Sequence, residues 1–362
     1  MRALIRRCRG ELIWLGCGVA FYLLFVLLRG NRAAMNWLAR SVTGPYKRWM
    51  GRLLAGLDIS LAEVLCLLAA AAFVWWLAWL IRSMASRRGR CLIAARYLLA
   101  LLCAVVTVYD GFCLLWGVNY YTDSFQQRSG IYAVAASPDR QEQLAQLTER
   151  FARELSACAS EVPRDESGLF SADRQEILRQ ASRQYQTLFE KFPFLDATQQ
   201  QPKAFVCSTG LSSLGYTGFF FPFTGETNLN MDSPACFLPA TALHELSHQL
   251  DIASEQECNF LAIVGASESS DPVYRYSGLL MGYVHLSNAL YRADPQRWQT
   301  VRDSLPREVR LDLQSNNVYW AQQESAVSRL WDKVYDRFLK SYGDTDGIQS
   351  YGTVVEMLLA YY

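Results

Sequence analysis

The sequence predicts a mainly α-helical protein in which three N-terminal transmembrane helices precede an α+β domain with a small sheet. Three long apolar runs lie within residues 1–118. From about residue 119 the pattern becomes that of a soluble domain, in which apolar residues repeat at helical spacing. The third observation is chemical: the chain of 362 residues has only three histidines, and two of them, His244 and His248, lie one helical turn apart.

The apolar runs cover residues 11–28, 59–81 and about 92–117. Each is close to the roughly 20 residues that a helix needs to cross a hydrocarbon core about 30 Å thick. Glu63 is the only charged residue of the second run. Tryptophan and tyrosine gather where the third run ends, as they do at membrane interfaces. We therefore expect residues 1–118 to form a membrane anchor.

Basic residues near the ends of the runs predict the orientation. Segments rich in them stay on the cytoplasmic side, and they precede the first run and fill the link between the second and third: Arg2, Arg6, Arg7 and Arg9, then Arg82, Arg87, Arg88 and Arg90. This predicts a multi-pass protein of the cytoplasmic (inner) membrane, with residues 119–362 forming an extracytoplasmic domain. A cleaved signal peptide is the alternative for the first run, but no Ala-x-Ala-like site follows it.

Composition limits the partners. The net charge is +1, so nucleic-acid binding is not expected, whereas the apolar runs require a lipid bilayer. The loop between the first two runs is basic, and its interleaved aromatic residues predict an interfacial segment along anionic headgroups. A Cys207–Cys236 disulfide is compatible with an extracytoplasmic domain, although the sequence alone does not establish it.

Within residues 119–362, helices are predicted on both sides of one strand-like region. Residues 172–189, 324–342 and 351–362 read as helices, and Asp-Pro pairs at 271–272 and 294–295 begin two more. Gly218–Pro222 and Glu226–Asn230 are extended segments that flank a tight turn. Either segment could pair with an extended polypeptide ligand, and a purely structural hairpin is the alternative.

The two histidines belong to the word His244-Glu-Leu-Ser-His248. In a helix this spacing puts both imidazoles on one face, where they can hold a single Zn²⁺ ion, and it places Glu245 to take a proton from water. Leu243 and Leu246 line the opposite, apolar side. The alternative is an amphipathic helix whose histidines only pack.

Zinc in a hydrolase usually keeps three protein ligands, so a third is expected. Glu255 and Glu257 both follow closely. Ser254 and Glu257 match a capping box, in which Glu257 folds back to the Ser254 amide, whereas helical spacing places Glu255 on a small polar face that can approach the motif helix. We favour Glu255 and keep Glu257 as the alternative. Asp251 is expected in the turn or supporting the site, and His285 in the core or at an interface.

Two resemblances sharpen this reading. The segment Glu255-Gln-Glu-Cys-Asn259 after the motif helix resembles the arrangement of gluzincins, including membrane peptidases of the CAAX-protease-like group. It implies a zincin-like fold with Glu255 as the third ligand and Asn259 supporting a ligand histidine. The chain as a whole resembles a bacterial membrane family, domain of unknown function 3810, on its three N-terminal runs and the words Trp116–Tyr121, Phe221–Glu226, His244–Gln249, Glu255–Phe260, Tyr274–Gly278 and Tyr351–Val355. Asp251 departs from it, because glycine is expected there.

These patterns predict a membrane-anchored zinc metalloendopeptidase that hydrolyses a peptide or protein substrate. Its site would comprise Zn²⁺ on His244, His248 and Glu255, with Glu245 as general base. Tyr276 is the candidate transition-state stabiliser, with Tyr274 beside it, and structural packing is the alternative for both. The alternative function is a catalytically silent zinc-binding or structural membrane protein. The intact Glu245 argues against that alternative, because a structural site needs no general base.

Overall fold

The computed structural model describes residues 8–86, 90–132, 139–195, 200–342 and 351–362. Helix dominates this part of the chain, and one small sheet accompanies it, as the sequence predicts. The helices are α1 (Arg9–Leu28), α2 (Arg32–Leu38), α3 (Gly44–Leu54), α4 (Leu61–Ser86), α5 (Arg90–Leu115), α6 (Phe125–Ser129), α7 (Arg140–Cys158), α8 (Arg174–Tyr185), α9 (Thr187–Lys191), α10 (Ser208–Ser213), α11 (Leu238–Gln249), α12 (Glu255–Ser267), α13 (Pro272–Ala293), α14 (Pro295–Asp303), α15 (Arg307–Gln323), α16 (Ala326–Ser341) and α17 (Tyr351–Tyr361).

Three helices among the described residues, α1, α4 and α5, are long and apolar enough to cross a membrane. The predicted spans are therefore present as helices, with bounds close to those expected. Helices α1 and α5 approach closely at Gly18, where an added Cβ would lie 2.4 Å from a Val106 methyl carbon and 3.0 Å from an Asp110 carboxylate oxygen. Of the basic residues that predict the orientation, Arg2, Arg6, Arg7, Arg87 and Arg88 lie outside the described residues.

The loop between α1 and α4 is helical and two-sided. It runs through α2, a π-helical turn over Ala39–Thr43, and α3. Its outer face exposes large apolar side chains, among them Trp49 and Leu53, whereas Lys47 and Gly51 are buried on the inner face. A segment that lies along a membrane surface has such an apolar outer face, and its position there stays a prediction.

Carboxylates from both sides join the spans to the following domain. Glu226 accepts hydrogen bonds from the Leu61 and Ala62 amides, at 3.1 and 3.0 Å, and so caps the beginning of α4. Glu63, the lone charge of that apolar run, accepts from the Val206 and Cys207 amides, at 3.0 and 2.7 Å. The charge is thus used inside the protein, which removes the cost of leaving it in lipid.

The sheet contains three strands in the order β1 (Lys203–Phe205), β3 (Glu226–Asn230), β2 (Gly218–Phe221). Strand β3 pairs in parallel with β1 and antiparallel with β2, which confirms the predicted hairpin. Since β3 is central, both of its edges are occupied. The expectation that Glu226–Asn230 could pair with a ligand is therefore wrong. Strand β2, which lies next to the motif helix, is an edge strand among the described residues.

The main core of the domain surrounds α11, α12 and α13. Leu243, Leu246 and Phe260 are fully buried there, together with side chains of α7 and α8. The Asp-Pro pairs cap helices as predicted, since the side chains of Asp271 and Asp294 accept from backbone amides in the first turns of α13 and α14. Cys207 is exposed and Cys236 is buried, and both are free, so the disulfide considered from the sequence does not form.

Gly225 lets the β2–β3 turn approach α3, and its replacement by alanine should destabilise the fold. It has φ of +69°, and an added Cβ would lie 2.2 Å from the Lys47 carbonyl oxygen. We expect Gly225→Ala to cost about 1–2 kcal/mol of backbone strain plus roughly 1–3 kcal/mol for the overlap. Thermal unfolding of the detergent-solubilised protein measures it.

Gly215→Ala is the matched control, because Gly215 has φ of +80° and open space where the Cβ would point. It should show the strain without the overlap. Equal losses from the two variants would mean that the approach of the turn to α3 contributes nothing.

Candidate metal centre

Helix α11 brings the two histidines of the motif together. It begins at Leu238, with Pro239 in its first turn. Proline is favoured at this position because its missing N–H group would have no helical partner there. Leu243 and Leu246 face the core, which turns His244 and His248 towards a cavity. The ring centroids of the two imidazoles are 4.9 Å apart. The predicted placement of both rings on one face is therefore found.

A tight turn after α11 returns the chain to the histidines. Asp251 has φ of +70°, in the left-handed region that asparagine and aspartate tolerate better than most residues. Its amide donates to the His248 carbonyl at 3.0 Å, and the Ile252 amide donates to the Ser247 carbonyl at 3.3 Å. The side chain of Asp251 forms an ion pair with the buried Lys47 of α3. The resemblance predicts glycine at 251, and the aspartate there links the turn to the loop between α1 and α4 (residues 29–60), which is called the membrane-side loop below.

Glu255, the first residue of α12, supplies a carboxylate between the two imidazoles. Its Oε2 lies 3.1 Å from His244 Nε2 and 3.6 Å from His248 Nε2. One potential ligand atom from each residue lies within 4.8 Å of the others. Two imidazole nitrogens and one carboxylate oxygen at this separation match the donor set of a catalytic zinc site.

The remaining ring nitrogens of the histidines are held by neighbours. His248 Nδ1 donates to the Ile252 carbonyl at 2.8 Å, with the Cys258 sulfur 3.4 Å away. His244 Nδ1 lies 2.9 Å from Asn259 Oδ1, so Asn259 stands where the resemblance placed it. With Nδ1 engaged, the Nε2 atom of each ring is left to face Glu255, as a metal ligand requires.

Glu245 is the acidic group beside this cluster. It is buried on the same cavity, against strand β2, where an added Cβ at Gly218 would lie 2.9 Å from Glu245 Oε1. Burial raises the pKa of the Glu245 carboxyl, while His244 and His248 act in the opposite direction. Within the part of the chain that the structure describes, its Oε2 has no hydrogen-bond partner. A buried carboxylate oxygen of this kind calls for a water molecule, an ion or a ligand.

The electrostatics of the cluster favour a cation between the rings. Burial alone would raise the pKa of Glu255, but the charges and hydrogen bonds of His248 and His244 hold it well below its usual value. Burial alone would lower the pKa of His248, but the Cys258 thiol and the Glu255 carboxylate hold it well above its usual value. Both shifts favour positive charge on the His248 ring beside a charged Glu255 carboxylate.

Two aromatic contacts complete the site, and sequence reasoning missed both. Tyr335 of α16 donates to Glu255 Oε1 at 2.8 Å. Burial and the Glu255 charge raise the pKa of the Tyr335 hydroxyl well above its usual value, so it remains a donor. The Trp116 ring, just beyond α5, packs edge-on against His248 at 5.5 Å between centroids. Neither residue lies near the motif in sequence, so no local signal identifies it.

The cluster opens into a cavity of about 780 Å³. Phe112, Trp116 and Tyr120 form one wall at the end of α5, and strand β2 forms another. A volume of this size is typical of ligand sites. The cavity therefore connects the histidine–glutamate cluster, the edge strand β2 and the end of a membrane-spanning helix.

Other candidates from the sequence lie elsewhere. The Tyr276 hydroxyl donates to Asp312, under the Arg164 guanidinium, in a buried cluster away from the cavity. The expectation that Tyr276 stabilises a transition state is therefore wrong, because its hydroxyl is committed to a structural bond. Tyr274 donates to the Ile177 carbonyl and is likewise structural. His285 does line the cavity, where burial and His244 lower its pKa to about 4.

Glu257 has a different partner from the one predicted. Its carboxylate accepts from the Phe125 and Gln126 amides, each at 3.0 Å, and so caps α6 from a distance. The Ser254 side chain does accept from the Glu257 amide, at 3.4 Å. The expected return of the Glu257 carboxylate to its own helix is therefore wrong, and the carboxylate points away from the histidines.

Replacing Glu255 and replacing Glu257 should have different effects on zinc affinity. We expect Glu255→Gln to lower zinc affinity by more than the roughly 10- to 100-fold that follows loss of an outer hydrogen bond to a ligand. Glu257→Gln should keep the affinity but lower the unfolding temperature, because two amides of α6 lose a charged acceptor. Zinc titration and thermal unfolding of both variants measure this. An equal loss of affinity in Glu257→Gln would reverse the assignment.

Comparisons with known proteins identify a family and go no further. A family model described as "Protein of unknown function (DUF3810)" matches residues 41–359. The match covers most of the chain, including the whole histidine–glutamate cluster. No curated protein and no solved structure gives a significant match.

Proposed function

The chain belongs to the DUF3810 family, and we propose that it acts as a membrane-anchored zinc metalloendopeptidase with a gluzincin-like site. One observation carries the proposal. His244 Nε2, His248 Nε2 and a Glu255 oxygen converge within 4.8 Å. Beside them, the buried Glu245 carboxylate faces the same cavity. Structural zinc sites are usually closed by four protein ligands, whereas three ligands with a general base beside them suit hydrolysis.

The residues divide the chemistry among them. His244, His248 and Glu255 would hold Zn²⁺, which when bound lowers the pKa of water and polarises a carbonyl group. Glu245 accepts the proton of the attacking water and later delivers it to the leaving amine. Its raised pKa suits that delivery, because an acid must hold its proton before giving it up. Asn259 and the Ile252 carbonyl keep the rings oriented throughout.

Strand β2 is the candidate substrate-binding edge. Gly218 stands directly against Glu245, and residues of this edge strand line the cavity. An extended peptide that paired with this edge would present its backbone to the histidine–glutamate cluster. Because such pairing uses main-chain hydrogen bonds, it favours substrates by their extended conformation more than by their sequence.

The proposed setting is the cytoplasmic (inner) membrane. Residues 1–118 would form the anchor, and residues 119–362 a zincin-like domain outside the cytoplasm. The beginning of α4 and the end of α5 lie on the same side as this domain, since Glu226 caps α4 and Lys47 Nζ donates to the Leu115 carbonyl at 2.9 Å. The end of α1 joins them there, because Arg29 donates to the Tyr121 hydroxyl at 3.0 Å. This arrangement supports three crossings.

Glu245→Gln should separate metal binding from catalysis. The amide cannot accept a proton, so we expect bound zinc to be retained and peptide hydrolysis to fall by about 10²–10⁴-fold. The purified full-length protein, incubated with a peptide library and with unfolded casein, reports cleavage through new termini detected by mass spectrometry. Glu161→Gln is the matched control, because Glu161 is a surface residue paired with Arg275. Zinc binding without cleavage in the native protein would support a catalytically silent zinc protein instead.

Zinc affinity should increase with pH. The Cys258 thiol and the Glu255 carboxylate hold the pKa of His248 well above its usual value, so its ring keeps a proton to a higher pH than a free imidazole does. That proton must leave when the metal binds, and lowering the pH therefore weakens binding. Calorimetric titration in two buffers of different ionisation enthalpy should show about one proton released near pH 7. Equal affinity at about pH 6 and pH 8, with no proton released, would contradict the assignment.

A further inference from the structure

A second cavity, of about 500 Å³, lies beside the membrane-side loop. Its lining combines that loop with the segment after α5 and the turn after α11. Four arginines and two acids contribute to it: Arg40, Arg48, Arg52 and Arg128, and Asp123 and Asp251. Asp251 is already paired with Lys47, which is not part of the lining, and Asp123 lies 3.8 Å from the Arg40 guanidinium and 4.0 Å from that of Arg32. The cavity therefore carries an excess of positive charge.

Arg128 is the most constrained of these arginines. Its Nη2 donates to the Phe194 carbonyl at 2.7 Å, and its guanidinium lies 4.3 Å above the Phe194 ring centroid. Burial lowers the pKa of Arg128, and the charge of Arg40 lowers it further, while the carboxylates of Asp123, Asp251 and Glu257 act in the opposite direction. A cation that is partly desolvated and faces another cation gains from an anion between them.

The cavity lies at the level where two spans end. Helix α1 ends at Leu28 and α2 begins at Arg32, while α5 ends at Leu115 and Thr122 already lines the cavity. On the outer face of the same loop, Trp49 is 59% and Leu53 is 63% exposed, as expected of side chains that enter the edge of a bilayer. Because membrane-spanning helices end near the headgroup region, we expect lipid phosphates close to this level.

We propose that this cavity binds a phosphate group, and that its source is the headgroup of an anionic phospholipid. The planar guanidinium groups of several arginines match the oxygens of a phosphate, and Arg48 and Arg52 come from the helix that carries the apolar outer face. The volume is sufficient for a glycerol-phosphate headgroup. This site is separate from the metal centre and does not depend on the proposed peptidase activity.

Binding can be tested on the full-length protein in a neutral detergent. The probes are a short-chain phosphatidylglycerol, the matched phosphatidylcholine, glycerol 1-phosphate and inorganic phosphate, with binding followed by thermal shift and native mass spectrometry. The variant is Arg40→Gln/Arg48→Gln, because both side chains line the cavity and neither is fully buried. The control Arg292→Gln/Arg310→Gln removes the same charge from exposed positions outside the cavity.

We expect phosphatidylglycerol to bind the native protein and the control with equal affinity. Its affinity for the cavity variant should be lower by a factor on the order of ten or more. Arg128→Lys, which keeps the charge but loses the planar fork, should also weaken binding. If glycerol 1-phosphate and inorganic phosphate bind as well as the lipid, the phosphate site stands and the lipid source is wrong. Three results would overturn the proposal: no binding of phosphatidylglycerol, equal binding of phosphatidylcholine, or equal affinity of the native protein and the cavity variant for phosphatidylglycerol.

Discussion

The position of one carboxylate, that of Glu255 between two imidazoles, constrains the rest of the site. A carboxylate that is largely removed from water, as that of Glu255 is at 26% exposure, is costly unless positive charge and hydrogen bonds surround it. The structure meets this requirement with His244 and His248 on one side and the Tyr335 hydroxyl on the other. Helices α11 and α12 must therefore pack closely, and the turn that joins them must reverse the chain within a few residues.

That turn also ties the site to the membrane-side loop. Asp251 takes the left-handed conformation that the reversal needs, and its carboxylate meets Lys47, whose ammonium group also holds the end of α5 through the Leu115 carbonyl. Trp116, which directly follows α5, packs its ring against His248. Close to the sheet, Glu226 accepts a hydrogen bond from the first turn of α4, and Glu63 of α4 accepts one from the Val206 amide after β1. Hydrogen bonds and an ion pair thus join the long apolar helices to the part of the chain that carries the cluster.

The parts of this structure that sequence could predict are those written in local spacing. Three apolar runs specify three long helices, and a pair of histidines four residues apart must share a helical face. The prediction for Glu257 used the same local logic. It correctly placed the Glu257 carboxylate in a capping interaction away from the histidines, but it named the wrong helix end. A capping pattern identified Glu257 as occupied, yet the amides it binds belong to Phe125 and Gln126, far away in sequence.

Residues brought in by tertiary packing could not be predicted. Tyr335 is 80 residues from Glu255, and the chain has 19 tyrosines, so nothing in the sequence distinguishes it from Tyr276. Whether β2 or β3 lies at the edge of the sheet likewise could not be predicted. It depends on β1, which pairs with β3 and makes β3 the central strand. Hydrophobic spacing fixes which face of an element is buried, but it does not say which elements meet.

The bond from Tyr335 to Glu255 has a thermodynamic consequence. Helix α16 contributes Trp331 and Tyr335 to the cavity wall, so its position and the state of the Glu255 carboxylate are linked. Linkage is reciprocal: whatever factor a bound cation adds to the stability of α16 in this position, the same factor is added by α16 to the affinity for the cation. A ligand that displaced this helix would therefore act as a negative effector of the centre without touching either histidine.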